Sequence, residues 1–182
     1  MERDFYIIEK IIKENKYNEK LSEILIELYR YMKETKWYGA CHASASVLYV
    51  ALKEEGFSPK ICTGEVQYKN YLFDHSWIEL DNKKIDLAIS MTLENGMSVS
   101  APIILDIDIE TNKVTEIKYG VMVRGLDDEA LTFSSLPFYL YMDMYPYNDK
   151  GLWGIVEKVL KREVDIEKMR EKYQTINRQI KM

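Results

Sequence analysis

FDHSWIELDNKKIDLAIS, Phe73 to Ser90, carries one of the chain's two histidines and an aspartate on either side of a short polar break. The flanking runs, Leu72 to Leu80 and Lys84 to Ile89, are rich in aromatic and β-branched residues and read as strands. Side chains alternate faces along a strand, so the length of the break decides whether His75 and Asp86 meet. With Asp81-Asn82 alone as the turn, Leu80 pairs with Lys83, Trp77 faces Asp86 and His75 faces Ala88. His75 and Asp86 then lie diagonally on one face, within reach of each other. A three-residue turn would send Asp86 to the other face.

Upstream, the apolar period lengthens. Ile7, Ile8, Ile11 and Ile12, then Leu21, Ile24, Leu25, Leu28 and Met32, recur at helical spacing, with Asn18 as the N-cap between two helices. A third helix starts near Cys41 and ends at Gly56, which suits a left-handed cap. Lys60 to Gln67 adds a strand, with Gly64 and Asn70 as breaks.

Downstream of a loop around Asn95-Gly96, Ile103 to Ile109 and Val114 to Val123 read as a second hairpin about Thr111-Asn112. The expected architecture is α+β, with about five antiparallel strands laid against helices in one domain spanning 1–182. Leu136 to Gly154 is dense in aromatics and methionines. It reads as an irregular stretch packed on the core, with a substrate-contacting wall as the alternative. Ile166, Met169, Tyr173, Ile176 and Ile180 form one stripe on a helix running from about Asp165 to the C-terminus. That stripe suits docking on the domain or on a second copy, a possible homodimer.

Composition narrows the function classes. The 182 residues are 47% apolar and 30% charged, a globular balance, and the formal net charge of −5 offers no general attraction for phosphate backbones. Nucleic acid is therefore not expected as a partner, nor is a membrane, because charges interrupt every apolar run. With no export signal at the N-terminus the expected location is cytoplasmic, where Cys41 and Cys62 stay thiols.

Acyl chemistry by a cysteine needs a thiolate, a proton shuttle and a group that orients the shuttle. Cys41 opens a helix, where unpaired N–H groups and the dipole favour an anion. With that helix packed on the face carrying His75, an imidazolium would stabilise the thiolate further. The same N–H groups, beginning with that of Cys41, suit the oxyanion of a tetrahedral intermediate. His42 points about 100° away from Cys41 around the helix, a poor partner for the thiol but able to line a cleft. Trp77 shares the face of His75 and is expected to pack beside it. Trp37, His42 and Trp77 are the candidate substrate contacts. Cys62 reads as core. Cys41, His42, Cys62 and His75 match no usual zinc spacing, glycine-rich phosphate loops are absent, and no metal or cofactor is expected.

GACHASA, GFSPKICTGEV, HSWIEL and KIDLA, taken in that order, resemble the core of the transglutaminase-like superfamily. The resemblance covers about Trp37 to Ser90 and rests on Gly39, Cys41, Gly56, Lys60, Gly64, His75, Trp77, Glu79 and Asp86. It implies a papain-like fold with Cys41 as nucleophile, His75 as general base and acid, and Asp86 as the orienting carboxylate. The superfamily includes crosslinking enzymes, and many of its small bacterial members are regarded as peptidases or amide hydrolases. The chain departs from the pattern in three places: Lys60 stands where arginine is usual, Lys83, Lys84 and Ile85 precede Asp86 where an aromatic is often found, and Leu87 follows it where proline is common.

The expected activity is hydrolysis of a peptide or protein amide through a thioester. The alternatives are acyl transfer, either crosslinking or from an acyl-CoA as in arylamine N-acetyltransferases, and a non-catalytic binding module that retains the fold.

Overall fold

The computed structural model describes residues 1–93 and 98–181, so the loop expected around Asn95-Gly96 lies outside the described residues. The helical periods form α1 Glu2–Glu14, α2 Glu19–Thr35 and α3 Cys41–Glu54. Asn18 does stand at the N-cap of α2 in extended conformation, but its side chain makes no capping bond. Gly56 closes α3 at φ 84°, with its N–H on Lys53 O (3.1 Å) and that of Phe57 on Leu52 O (3.0 Å), the two bonds of a Schellman motif.

The period-two runs form β1 Lys60–Tyr68, β2 Tyr71–Leu80 and β3 Lys83–Asp86. Gly64 does not break β1 but sits inside it, opposite His75. The β2–β3 turn has two residues, Asp81 and Asn82, both at positive φ (50° and 63°), as a type I′ hairpin requires. Leu80 pairs with Lys83 and Ile78 with Ile85. The third strand was expected to reach Ile89, yet it ends at Asp86 and a 3₁₀ turn, Ala88–Met91, follows. Asp86 itself causes the change, because its Oδ1 accepts the Ile89 N–H at 3.0 Å and folds the chain back onto the carboxylate.

The single hairpin expected over Ile103–Val123 becomes four short strands, β4 Ile103–Ile104, β5 Ile107–Asp108, β6 Lys113–Val114 and β7 Lys118–Val121. Leu105 and Asp106, both at positive φ (52° and 69°), turn the first half back on itself. The turn about Thr111-Asn112 joins β5 to β6. The chain then crosses to the far side of the sheet, where β7 pairs with β1. The sheet order is β6-β5-β4-β3-β2-β1-β7, wider than the five strands expected.

Four further helices follow, α4 Asp128–Ser135, α5 Phe138–Asp143, α6 Trp153–Leu160 and α7 Ile166–Lys172. The aromatic segment divides its side chains. Phe138, Met142, Leu152 and Trp153 are buried in the main core, while Tyr141, Met144, Tyr145 and Pro146 line a surface hollow. The expected long C-terminal helix stops after α7. Asp165 caps it through the Lys168 N–H (3.2 Å), and Tyr173 packs on Tyr49, Phe138 and Trp153 of the same chain. Ile176 and Ile180 therefore leave the helical stripe, and the chain ends in β8 Gln179–Lys181, parallel to β1 along Cys62–Gly64. β7 covers β1 only at Glu65–Gln67, so this stretch of edge was open, and backbone pairing there outweighs a weak helical period.

The main core lies between the helices and one sheet face and includes Ile78, Leu80 and Ile85. A smaller cluster of Cys62, Val66, Trp77, Ile89, Ile103 and Ile117 holds the other face. No described helix is long and apolar enough to cross a membrane.

Candidate active site

The site forms where the sheet splits. β3 pairs with β2 only over Ile78–Leu80, which leaves the half of β2 that carries His75 with no strand on that edge among the described residues. The N-terminus of α3 fills the gap. Gly39 makes the approach possible: it sits at φ 65°, its N–H bonds to Met91 O at 2.9 Å, and a Cβ there would come within 2.5 Å of Leu93. The next residues start the helix, whose first backbone bond runs from Ser44 N to Ala40 O at 2.7 Å. The amides of Cys41, His42 and Ala43 have no partner among the described residues, and no side chain caps them.

α3 does not pack on the face carrying His75. His42 Nδ1 lies 2.7 Å from Ser76 Oγ, and Ile78 and Leu80 share the main core with Val47, Leu48 and Ala51, so the helix covers the opposite face. Cys41 instead lies beside His75 at the unpaired edge, both lining one cavity, and is close enough to raise the imidazole's pKa. His75 Nε2 is 3.0 Å from Asp86 Oδ1, so the two-residue turn brings the diagonal pair together. This leaves Nδ1 for Cys41. Asp86 is in turn fixed by the Ile89 N–H on Oδ1 at 3.0 Å and the Tyr119 hydroxyl on Oδ2 at 2.8 Å.

The electrostatics favour a protonated His75. Burial alone would disfavour an imidazolium, but Asp86 and then Cys41 outweigh it and push His75 up to about 10. The direction favours an imidazolium. Tyr119 is held well above its ordinary value by burial and then by Asp86, so it remains a hydroxyl donor. Cys62 is fully buried on β1, and burial followed by Glu79 pushes it up to about 12. Only Cys41, half-buried, reaches a cavity.

That cavity has a volume of about 200 Å³ and contains Cys41, His42, His75 and Phe73, with Asp74, Asp127 and Glu129 at its rim. Two larger hollows of about 570 and 540 Å³ adjoin it and share His42 and Glu129 with it. Among the candidate contacts, Trp37 lines the second hollow, edge-on to Tyr145 at 5.7 Å. His42 lines all three. Trp77 lies elsewhere: it is 1% exposed and packs against Tyr119 at 4.9 Å in the smaller core.

Sequence reasoning missed Tyr119, which reaches Asp86 only because β7 crosses to β1. It also missed the buried pair Thr63 and Ser76, whose hydroxyls lie 2.7 Å apart behind His42. Polar residues alternating into an apolar strand were the available signal for this pair. Neither a family model, a curated protein nor a solved structure matches the chain.

Proposed function

We propose that the protein is a cysteine-dependent amide hydrolase with a papain-like, transglutaminase-like arrangement, acting on a peptide through a thioester. The carrying observation is buried His75, 3.0 Å from Asp86 and beside a Cys41 that opens into a cavity. In this reading the Cys41 thiolate adds to the amide carbon, forming the C–S bond and an oxyanion beside the unpartnered Cys41 N–H. The oxyanion collapses, the C–N bond breaks, and the leaving amine takes the proton from His75. Neutral His75 then accepts a proton from water as its oxygen attacks the thioester. The C–S bond breaks, the acid leaves, and the thiolate–imidazolium pair is restored.

Three adjoining hollows that meet at His42 suit an extended chain better than a small amide or thioester. Contact of Cys41 with His75, and its access to the cavity, favour chemistry over a module that only binds. Mild iodoacetamide labelling with mass mapping tests the reading. Expected is fast alkylation at Cys41 alone. Preferential loss of Cys62, or alkylation of Cys41 no faster than that of a free thiol, would sink it.

A further inference from the structure

Beside the Cys41–His75–Asp86 line lies a second polar chain that the mechanism above does not use. It runs from Thr63 Oγ1 to Ser76 Oγ (2.7 Å) and on to His42 Nδ1 (2.7 Å). Thr63 is 0% and Ser76 1% exposed, so bulk water does not reach their hydroxyls, whereas His42 lines the hollows. Direction can be assigned by counting hydrogens. If His42 Nδ1–H donated to Ser76, and Ser76 to Thr63, the Thr63 hydrogen would have no acceptor among the described residues. Run the other way, Thr63 donates to Ser76 and Ser76 to Nδ1, and the one hydrogen left over is on His42 Nε2, which lines the hollows. A donor stranded on fully buried Thr63 costs more than one on a ring nitrogen that opens to the hollows. His42 is thereby fixed with its proton on Nε2.

That nitrogen has no partner among the described residues, on a side chain more than nine-tenths buried that lines all three hollows. Stacking on Phe133, with centroids 4.3 Å apart, holds the ring in place. The ring also stays uncharged. Burial foremost, then repulsion from His75, bring it down to about 4, with Asp127 opposing and Arg178 assisting.

We propose that His42 Nε2–H is a neutral hydrogen-bond donor to the carbonyl oxygen of the acyl group bound beside Cys41. It acts alongside the Cys41 N–H, and the substrate it selects is an amide whose carbonyl sits at the junction of the three hollows. This rests on the acyl reading given above. A neutral imidazole suits the task, because a second cation in the cavity would compete with His75 for the thiolate. The role makes His42 a substrate-contacting residue, with Ser76 and Thr63 positioning it.

Two measurements test this. Long-range ¹H–¹⁵N NMR of the free protein should show His42 protonated at Nε2, with no titration between pH 5 and 8 despite His75, Asp127, Glu129 and Arg178 around it. A proton on Nδ1, or titration near 6.5, overturns the assignment. Second, N-acetyl-phenylalanyl-glycinal, which forms a thiohemiacetal with Cys41, should bind the wild-type chain. His42→Phe should weaken it about tenfold, the loss of one hydrogen bond, and at least fivefold more than it slows iodoacetamide alkylation. His42→Gln should recover part of the affinity. Equal losses in both reactions, or no wild-type affinity for the aldehyde, overturn the proposal. If His42→Phe does not fold, Ser76→Ala gives the same readout by releasing the tautomer, and unchanged aldehyde affinity there overturns it. Slow wild-type alkylation at Cys41 would instead reject the acyl reading, while the NMR tautomer still reports on His42.

Discussion

Asp86→Asn removes one charge and exchanges one acceptor oxygen, the one that takes the Tyr119 hydroxyl, for an amide donor. Asparagine Oδ1 can still accept the Ile89 N–H, so the 3₁₀ turn and the local shape survive. What disappears is the main support for the His75 cation. That cation is favoured by the difference between the ordinary 6.5 and about 10, on the order of 5 kcal/mol, with Asp86 contributing more than Cys41. Without the carboxylate, burial becomes the larger influence and His75 is neutral at pH 7. Cys41 then loses its counter-charge. Alkylation, which needs the thiolate, should then slow on the order of tenfold at pH 7. The assay is the iodoacetamide rate at pH 7 by intact-mass and peptide-level mass spectrometry, with buried Cys62 as internal control. Near-UV circular dichroism would establish that the variant is folded. A folded Asp86→Asn that alkylates within threefold of wild type refutes the reasoning, since Cys41 would then owe its reactivity to something other than the paired histidine.

Other expectations concern the frame around the site. Because folded His75 binds its proton more tightly than the unfolded chain does, its stabilisation is complete below about pH 6.5 and is lost as pH rises toward 10. Urea midpoints should therefore fall across that window, and Asp86→Asn should flatten the slope. Tyr119→Phe deletes a buried bond to a charged oxygen at 2.8 Å. It should cost roughly 1–3 kcal/mol in urea unfolding, and an unchanged midpoint would show that Asp86 does not depend on it. Gly64→Ala would place a Cβ 2.4 Å from the Lys181 carbonyl oxygen. Strand β8 should detach, seen as faster amide exchange at Gln179–Lys181 with a loss of about 1–3 kcal/mol. Retained protection there would contradict the close approach.

What the sequence determined by itself is local. Helical periods located α1, α2 and the body of α3, and Gly56 marked where α3 stops, because these follow from which side chains recur on one face. The Asp81-Asn82 turn is likewise a two-residue decision, and through strand alternation it fixed that His75 and Asp86 share a face. Tertiary structure decided the rest. Asp86 ended its own strand by capping the Ala88–Met91 turn, and the C-terminal stripe gave way to β8 because an open edge of β1 was waiting for it. The sequence could not say which sheet face α3 would cover: it lies on the Ser76 face and reaches His75 only over an unpaired edge. Tyr119 and the Thr63–Ser76–His42 chain are equally invisible in one dimension. Each depends on residues from different strands meeting, and only the packing of the sheet brings them within hydrogen-bond distance.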